Sequence, residues 1–407
     1  MEPNKHDHRL GQFADLVVRV GVNVQPGQGV VLHADTGHLD IARAVVARAY
    51  TAGAAWVDVV WTDGPMRRAH LDHAPTQTLS ASRGWALHRI KTWADQRIAS
   101  IALVGDPHPH LLDGVDPTRA ATLALDETTA LQDAILGRQL RWTIAAAPNT
   151  GWATHLYGKP DLDRLWDAVA TAMRLDHPDP ITQWRHRAAT LAARAAALNA
   201  QQLTELRYTG DGTDLRVGLI PGCHWTGGAT TDPDGIAYLP NIPTEEVFTS
   251  PHRHHADGVV RVTRPLIVAG HLITGLRITL THGQITQVCA TTGADAVRAH
   301  LDTDPGARHL GEVALVDRDS PTATADTVFH NTLLDENTAC HIAWGQSFPF
   351  TVTGGLAMTP AQRAETGLNT STVHTDIVIG GEGITVTGTG PHGTIPIIHH
   401  DDWVLPD

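Results

Sequence analysis

The chain has only three cysteines in 407 residues, Cys223, Cys289 and Cys340, far apart and without a Cys-x-x-Cys spacing. That scarcity argues against a disulfide framework or a cysteine-built zinc site and fits free thiols in a reducing compartment. Basic residues are also in short supply: 30 Lys and Arg stand against 43 Asp and Glu, a formal charge of −13. A nucleic-acid or anionic-membrane partner needs clustered Lys and Arg, so neither is expected. No apolar stretch approaches the roughly 20 residues of a membrane span. The opening MEPNKHDHRL lacks an apolar signal-peptide core,. The expectation is a cytoplasmic protein, and its length exceeds one ordinary core and fits two domains.

Histidine, by contrast, is abundant, with 26 residues, so no single imidazole is informative. HRHH at His252–His255 and the pair His399–His400 look metal-like. They lie in polar segments without matching carboxylates and are not expected to be ligands.

The first half of the chain alternates. Phe13–Val22 is amphipathic and helix-like, and Pro26–Gln28 marks a turn. GVVLHAD (Gly29–Asp35) reads as a buried strand and the Ala-rich Leu39–Ala52 as a helix stopped by Gly53. AAWVDVVW (Ala54–Trp61) is a second strand,. Strand, helix, strand at this spacing is a βαβ unit and implies a parallel sheet. Gly27 and Gly29 precede the strand instead of following it, so a turn explains them better than a dinucleotide-binding loop. SIALVGD (Ser100–Asp106) and RWTIAAAP (Arg141–Pro148) are further strands, with helical composition from Thr118 to Arg138 between them. Asp179 and Pro180 supply the cap and first-turn proline of a helix running to about Ala200,. Trp184, Leu191, Ala195 and Leu198 share one of its faces.

Beyond Ala200 the texture changes to hairpins, ELRYTGDGTDLRVGL and then LRITLTHGQITQVCA, and to short β-like runs broken by Gly, Pro and Asp turns,. Ala294–Asp302 is helix-like, and so is the run after Asp335. The expected fold class is therefore an α/β N-terminal domain with a parallel sheet over residues 1–200. A mainly β (α+β), metal-bearing C-terminal domain follows over residues 201–407.

Four islands in the second half concentrate carboxylates and imidazoles. They are TEEVFT (Thr244–Thr249), LGEVALV (Leu310–Val316), DENTACHIA after Leu334, and HTDIVIG (His374–Gly380). His374 and Asp376 are two apart on a strand and leave the same face. Glu312 stands at the mouth of a buried strand and needs a counter-charge there. The adjacent Glu245 and Glu246 point opposite ways on an extended chain, so one can ligate while the other handles protons. Asp335 or Asn337 is expected to cap the helix after it, with Glu336 and His341 near that helix's N-terminus and Cys340 packed inside it. A carboxylate-rich set with two imidazoles suits two hard or borderline ions sharing a bridging carboxylate, about 3.5–4 Å apart, that activate a water.

These islands resemble those of the M29 family of metalloaminopeptidases, the aminopeptidase T family. The resemblance runs through nearly the whole chain, in VGVNVQPGQGV, WATHLYG, NIPTEEVFTSP, DPGARHLGEVALV, TLLDENTACHIAWG and LNTSTVHTDIVIGGEGITVTG. It implies metal-binding roles for Glu246, Glu312, Glu336, His341, His374 and Asp376. It also implies two divalent ions (Zn, Co, Mg or Mn), a peptide or aminoacyl amide substrate cut at its N-terminal bond, and a homodimer. Glu312 is the expected bridging ligand, and Glu245 the expected general base by analogy with other two-metal peptidases. One departure stands out: where the family carries a tyrosine, this chain has Phe348. Loss of that hydroxyl implies a slower, specialised enzyme, or another donor, such as Ser347, in its place. Two other readings compete. One is a mononuclear iron(II) ring-cleaving dioxygenase using His341, His374 and Asp376; the other is a catalytically impaired metal-binding homologue.

Overall fold

The computed structural model describes residues 5–79, 83–116, 119, 120, 123, 125–325 and 327–406. The chain divides into two compact units, Met1–His186 with Ala229–Thr244, and Arg187–Gly228 with Glu245–Asp407.

The first unit alternates strand and helix as expected: α1 (Lys5–Leu16), β1 (Gly29–Asp35), α2 (Leu39–Thr51), β2 (Trp56–Thr62), α3 (Gly84–Asp95), β3 (Ala99–Val104), α4 (Leu125–Leu136) and β4 (Arg141–Ala146). The expected start of α4 at Thr118 lies outside the described residues. These four strands pair in parallel, in the order β4-β3-β1-β2, and the two-residue strand Asn241–Ile242 adds to the outer edge of β4. Val30, Val31 and Leu32 of β1 are fully buried, as a near-continuous apolar run on a central parallel strand requires,. Charged groups at the strand ends are occupied by backbone. Asp35 accepts from Gly37 N at 2.9 Å, Asp63 from Met66 N at 2.9 Å, and Asp106 from His108 N at 2.7 Å. Helix α5 (Pro180–Ala200) opens on Asp179, whose carboxylate accepts from Thr182 N at 3.0 Å, and Trp184, Leu191, Ala195 and Leu198 are buried as their spacing predicts.

The second unit is built from antiparallel sheet. In chain order its strands include β5 (Glu205–Gly210), β6 (Thr213–Leu219), β7 (Glu246–Thr249), β8 (Pro251–Arg261), β9 (Arg277–Thr281), β10 (Gln284–Cys289), β11 (Leu310–Val316), β12 (His341–Gly345) and β13 (His374–Val378). Both hairpins read from the sequence form, β5 with β6 and β9 with β10. They lie in one large sheet with β8 between them. A second sheet has the order β13-β12-β11-β7, with Thr226–Gly227 outside β7. Val247, Val313, Leu315, Ile342, Trp344 and Ile377 of this sheet belong to the unit's main hydrophobic core.

One expectation is corrected here. The run after Asp335 is not the expected helix: a four-residue helix (Thr332–Asp335) and a single 3-10 turn (Glu336–Thr338) come first, and His341–Gly345 is the strand β12. Its apolar run is too short to choose a period alone. Ile342 and Trp344 alternate with His341, Ala343 and Gly345, and β11 and β13 hydrogen-bond both edges, so pairing decides for strand. Cys340 accordingly sits just ahead of a strand, buried, its Sγ 3.4 Å from Val316 O. Burial pushes its thiol up to about 12, which leaves it inert as a nucleophile,.

Candidate metal centre

Strand register brings five of the six expected ligands onto one face. Asp376 pairs with Ala343 and Ala343 with Glu312, so the two carboxylates stand in one row across β13, β12 and β11. His374, two residues before Asp376, shares its face. His341 pairs with Val378 on one side and Ala314 on the other, both two residues from a member of that row. Glu246 pairs with Val316, which continues the same face of β11 onto β7. The intervening residues point to the core. Glu336 arrives differently, from the turn ahead of β12, where Asn337 Nδ2 lies 3.4 Å from its Oε1.

The contacts are close. His341 Nε2 is 2.9 Å from Glu246 Oε2, and His374 Nε2 is 3.2 Å from Glu312 Oε2 and 3.5 Å from Asp376 Oδ1. Two sets of ligand atoms each fall within 4.8 Å of one another: Glu246, Glu312 and His341, and Glu312, His374 and Asp376. Glu312 is common to both. His374 Nδ1 lies 2.8 Å from Gln346 O and His341 Nδ1 3.3 Å from Ala339 O. Donation from Nδ1 to a backbone carbonyl leaves Nε2 aimed at the carboxylates, the tautomer a metal ligand needs.

Charge balance shows why this set fits cations. Burial pushes Glu312 up to about 7 against the pull of His374, and the charges of Glu246 and Asp376 add to the rise. Burial, then Asp376, Glu246 and Glu312, push Glu336 well above the usual carboxylate range. Burial works against charge on His341 too, yet its bond to Glu246 holds it up at about 9. His374 is likewise raised, burial being outweighed by Asp376 and Glu312. Asp376 alone is held low, burial being overcome by His374 and His341. Four buried carboxylates cannot all ionise together without added positive charge. Glu336 and Asp376 also line a small cleft with Arg264, Leu266, Ile267 and His330.

The remaining expectations land elsewhere. Glu245 is fully buried, and its carboxylate is in an ion pair with Arg187 Nε at 2.6 Å. Arg187 and Arg194 both reach Asp317, at 3.2 and 2.5 Å. Ser347 is buried, and its Oγ accepts from Asn369 N at 3.1 Å. Phe348 does reach the cluster: its ring centroid is 5.1 Å from that of His374. Asp335 accepts from Phe329 N and Asn331 N at 2.9 and 3.0 Å and closes a turn. Neither HRHH nor His399–His400 contributes to either ligand group. Sequence reasoning did not find Arg187 or Asp317, and gave Asn337 only a capping role, whereas its Oδ1 accepts from Glu245 N at 2.6 Å. Their partners are distant in sequence, and no local spacing signals them.

Residues 6–403 match the family model described as thermophilic metalloprotease (M29). The chain is similar to aminopeptidase 2 of Geobacillus stearothermophilus, at 36% identity over 99% of each chain. It is 37% identical to aminopeptidase T of Thermus aquaticus, over 97% of this chain and 98% of that one. Among solved structures, wild-type AmpT from Thermus thermophilus superposes with a TM-score of 0.88 at 36% identity, covering 98% of this chain and 99% of the other.

Proposed function

The chain belongs to the thermophilic metalloprotease (M29) family, and from that premise we propose that it is a metal-dependent aminopeptidase that hydrolyses the N-terminal amide bond of peptides at the Glu312-centred cluster. The observation that carries this reading is the sharing of Glu312 between two ligand groups. It supports two divalent ions, which Glu246, Glu312 and His341 and Glu312, His374 and Asp376 would hold, with Glu336 contributing.

Divalent ions held there would supply a water of lowered pKa and polarise the scissile carbonyl. The chain's own residues do the rest. Gln346 O and Ala339 O fix the two imidazoles. Glu245 is given a positioning role in place of the base role expected from sequence, because its fully buried carboxylate is already engaged by Arg187. Phe348 offers no hydroxyl to a developing oxyanion, which supports a slow or specialised enzyme. The iron(II) dioxygenase reading gains no support, since two histidines and one carboxylate leave three buried acids unused.

Among the described residues no helix is long and apolar enough to cross a membrane. The three free cysteines support the proposed cytoplasmic location,. The homodimer is proposed from the family resemblance, and sedimentation of the purified chain tests it.

Hydrolysis of unblocked dipeptides and aminoacyl amides, with their N-acetylated forms as controls, tests the activity. The expected result is metal-dependent turnover of the unblocked set alone, abolished by chelator. Equal turnover of the blocked set overturns the aminopeptidase assignment.

A further inference from the structure

The chain has five phenylalanines. Phe13 and Phe329 are fully buried. The other three, Phe248, Phe348 and Phe350, are half-buried and gather at one place. Phe348 lies 5.3 Å from both Phe248 and Phe350, and Phe248 and Phe350 are 6.3 Å apart, centroid to centroid. These are the offset and edge-to-face separations of a packed aromatic cluster.

That cluster adjoins the metal centre on two counts. Phe248 is two residues from Glu246 on β7, and it pairs with Ala314, which pairs in turn with His341, so it shares the ligand-bearing face of the sheet. The Phe348 ring lies against the imidazole of His374, tilted 51° to it, with centroids 5.1 Å apart. The segment carrying Phe348 and Phe350 is pinned from behind. Ser250 Oγ accepts from Phe348 N at 3.0 Å, and Thr351 Oγ1 donates to Ser250 Oγ at 2.9 Å. Three rings contributed by two segments therefore present partly exposed apolar surface directly beside the ligands. The cleft on the Glu336 and Asp376 side differs, with Arg264 and His330 in its wall.

We propose that Phe248, Phe348 and Phe350 form the subsite for the side chain of the substrate's N-terminal residue, and that it selects large apolar residues, aromatic or leucine-like, over small or charged ones. This rests on the aminopeptidase reading above. A bulky apolar side chain covers ring surface that water otherwise wets, and each added methylene in such a pocket is worth roughly 10- to 200-fold in selectivity. A Lys or Glu side chain finds no charged or hydrogen-bonding partner on the three rings. The absent phenol fits the same picture: Phe348 completes an apolar wall.

The test has two readouts on metal-loaded enzyme. The first is kcat/KM for Phe, Leu, Ala, Lys and Glu amides with one leaving group, and for Ala-Phe and Phe-Ala dipeptides. The second is calorimetric binding of the unhydrolysable amines phenylalaninol and alaninol. The expected result is a preference for Phe and Leu over Ala of about tenfold or more. Phe248→Ala should cut the Phe-to-Ala ratio by about tenfold, and Phe248→Leu, which keeps apolar volume, should retain most of it. Turnover with a flat ratio, a preference that Phe248→Ala and Phe350→Ala leave unmoved, or a preference that follows the second residue overturns the subsite while the activity stands. Absence of turnover, with phenylalaninol still binding tenfold tighter than alaninol in a Phe248-dependent way, keeps the subsite and overturns the aminopeptidase reading. Neither turnover nor selective binding overturns both.

Discussion

Asp35, Asp63 and Asp106 stand at the ends of strands in the parallel sheet, and each accepts a backbone N–H from a residue two or three positions further on. Glu246, Glu312 and Asp376 stand on the antiparallel sheet β13-β12-β11-β7, and their close partners are two imidazoles. Both sheets carry acids. The first disposes of their charge locally, through turns and caps, and nothing further is asked of them. The second crowds like charges into a buried face where the protein's own groups do not balance them. What separates a site from a scaffold here is therefore unneutralised charge held in fixed register, and not the number of acidic residues.

The most severe way to break this contrast is Glu312→Gln, which removes the shared carboxylate. Its kcat/KM is expected to fall at least 10³-fold, on the order of the loss of a whole catalytic unit, whereas Asp63→Asn, a capping change in the first unit, should stay within a few-fold. Comparable losses in both would erase the distinction.

Phe348→Tyr sharpens it by adding the oxyanion donor that the cluster lacks. Such donors are worth roughly 10²–10³ in kcat, so a rise of up to that size is expected in steady-state assays. No rise would mean that the ring serves the substrate alone.

Arg187→Met probes a buried acid of the second unit, Glu245, whose charge a guanidinium already balances. It removes the guanidinium from Glu245 while Asp317 keeps Arg194, and truncating one partner of a buried pair costs about 3–5 kcal/mol, to be read in denaturant unfolding. Glu245→Gln serves as a companion. Metal retained with a kcat loss beyond about 100-fold would restore Glu245 as general base; a stability loss with modest kinetic change keeps it as a positioning residue.

The smallest effect is in pH. In metal-depleted protein Glu312, raised to about 7 from 4.5, contributes stability below pH 4.5 that is lost as pH rises through 7,. His341, raised to about 9 from 6.5, contributes stability below pH 6.5 that is lost as pH rises through 9. Asp376, held low, acts in the opposite sense, and its contribution is lost on acidification. A divalent ion must displace the protons on Glu312 and His341. The gain in Tm on adding metal should therefore grow between pH 5 and 9; a gain independent of pH would place the metal elsewhere.

Much of this was legible in the sequence. GVVLHAD and the Ala-rich segment after it fix a βαβ unit because burial and turn residues agree there. The His374 and Asp376 spacing gives one face as soon as a strand is assumed. His341 was misread as helical because HIAWG is five residues long and only its pairing with β11 and β13 sets its period. The gathering of Phe248 with Phe348 and the pairing of Glu245 with Arg187 were not legible at all, since each joins segments separated by 58 or more residues in sequence.

The face shared by Glu246, Glu312, His341, His374 and Asp376, with Glu336 beside it, is proposed to hold two divalent ions. Metal content per chain after dialysis, in the unaltered protein and in Glu312→Gln, tests it most directly. Two ions per chain, falling to one or none in the variant, is the predicted result. Fewer than one ion per chain in the unaltered protein, or two retained in Glu312→Gln, would contradict it.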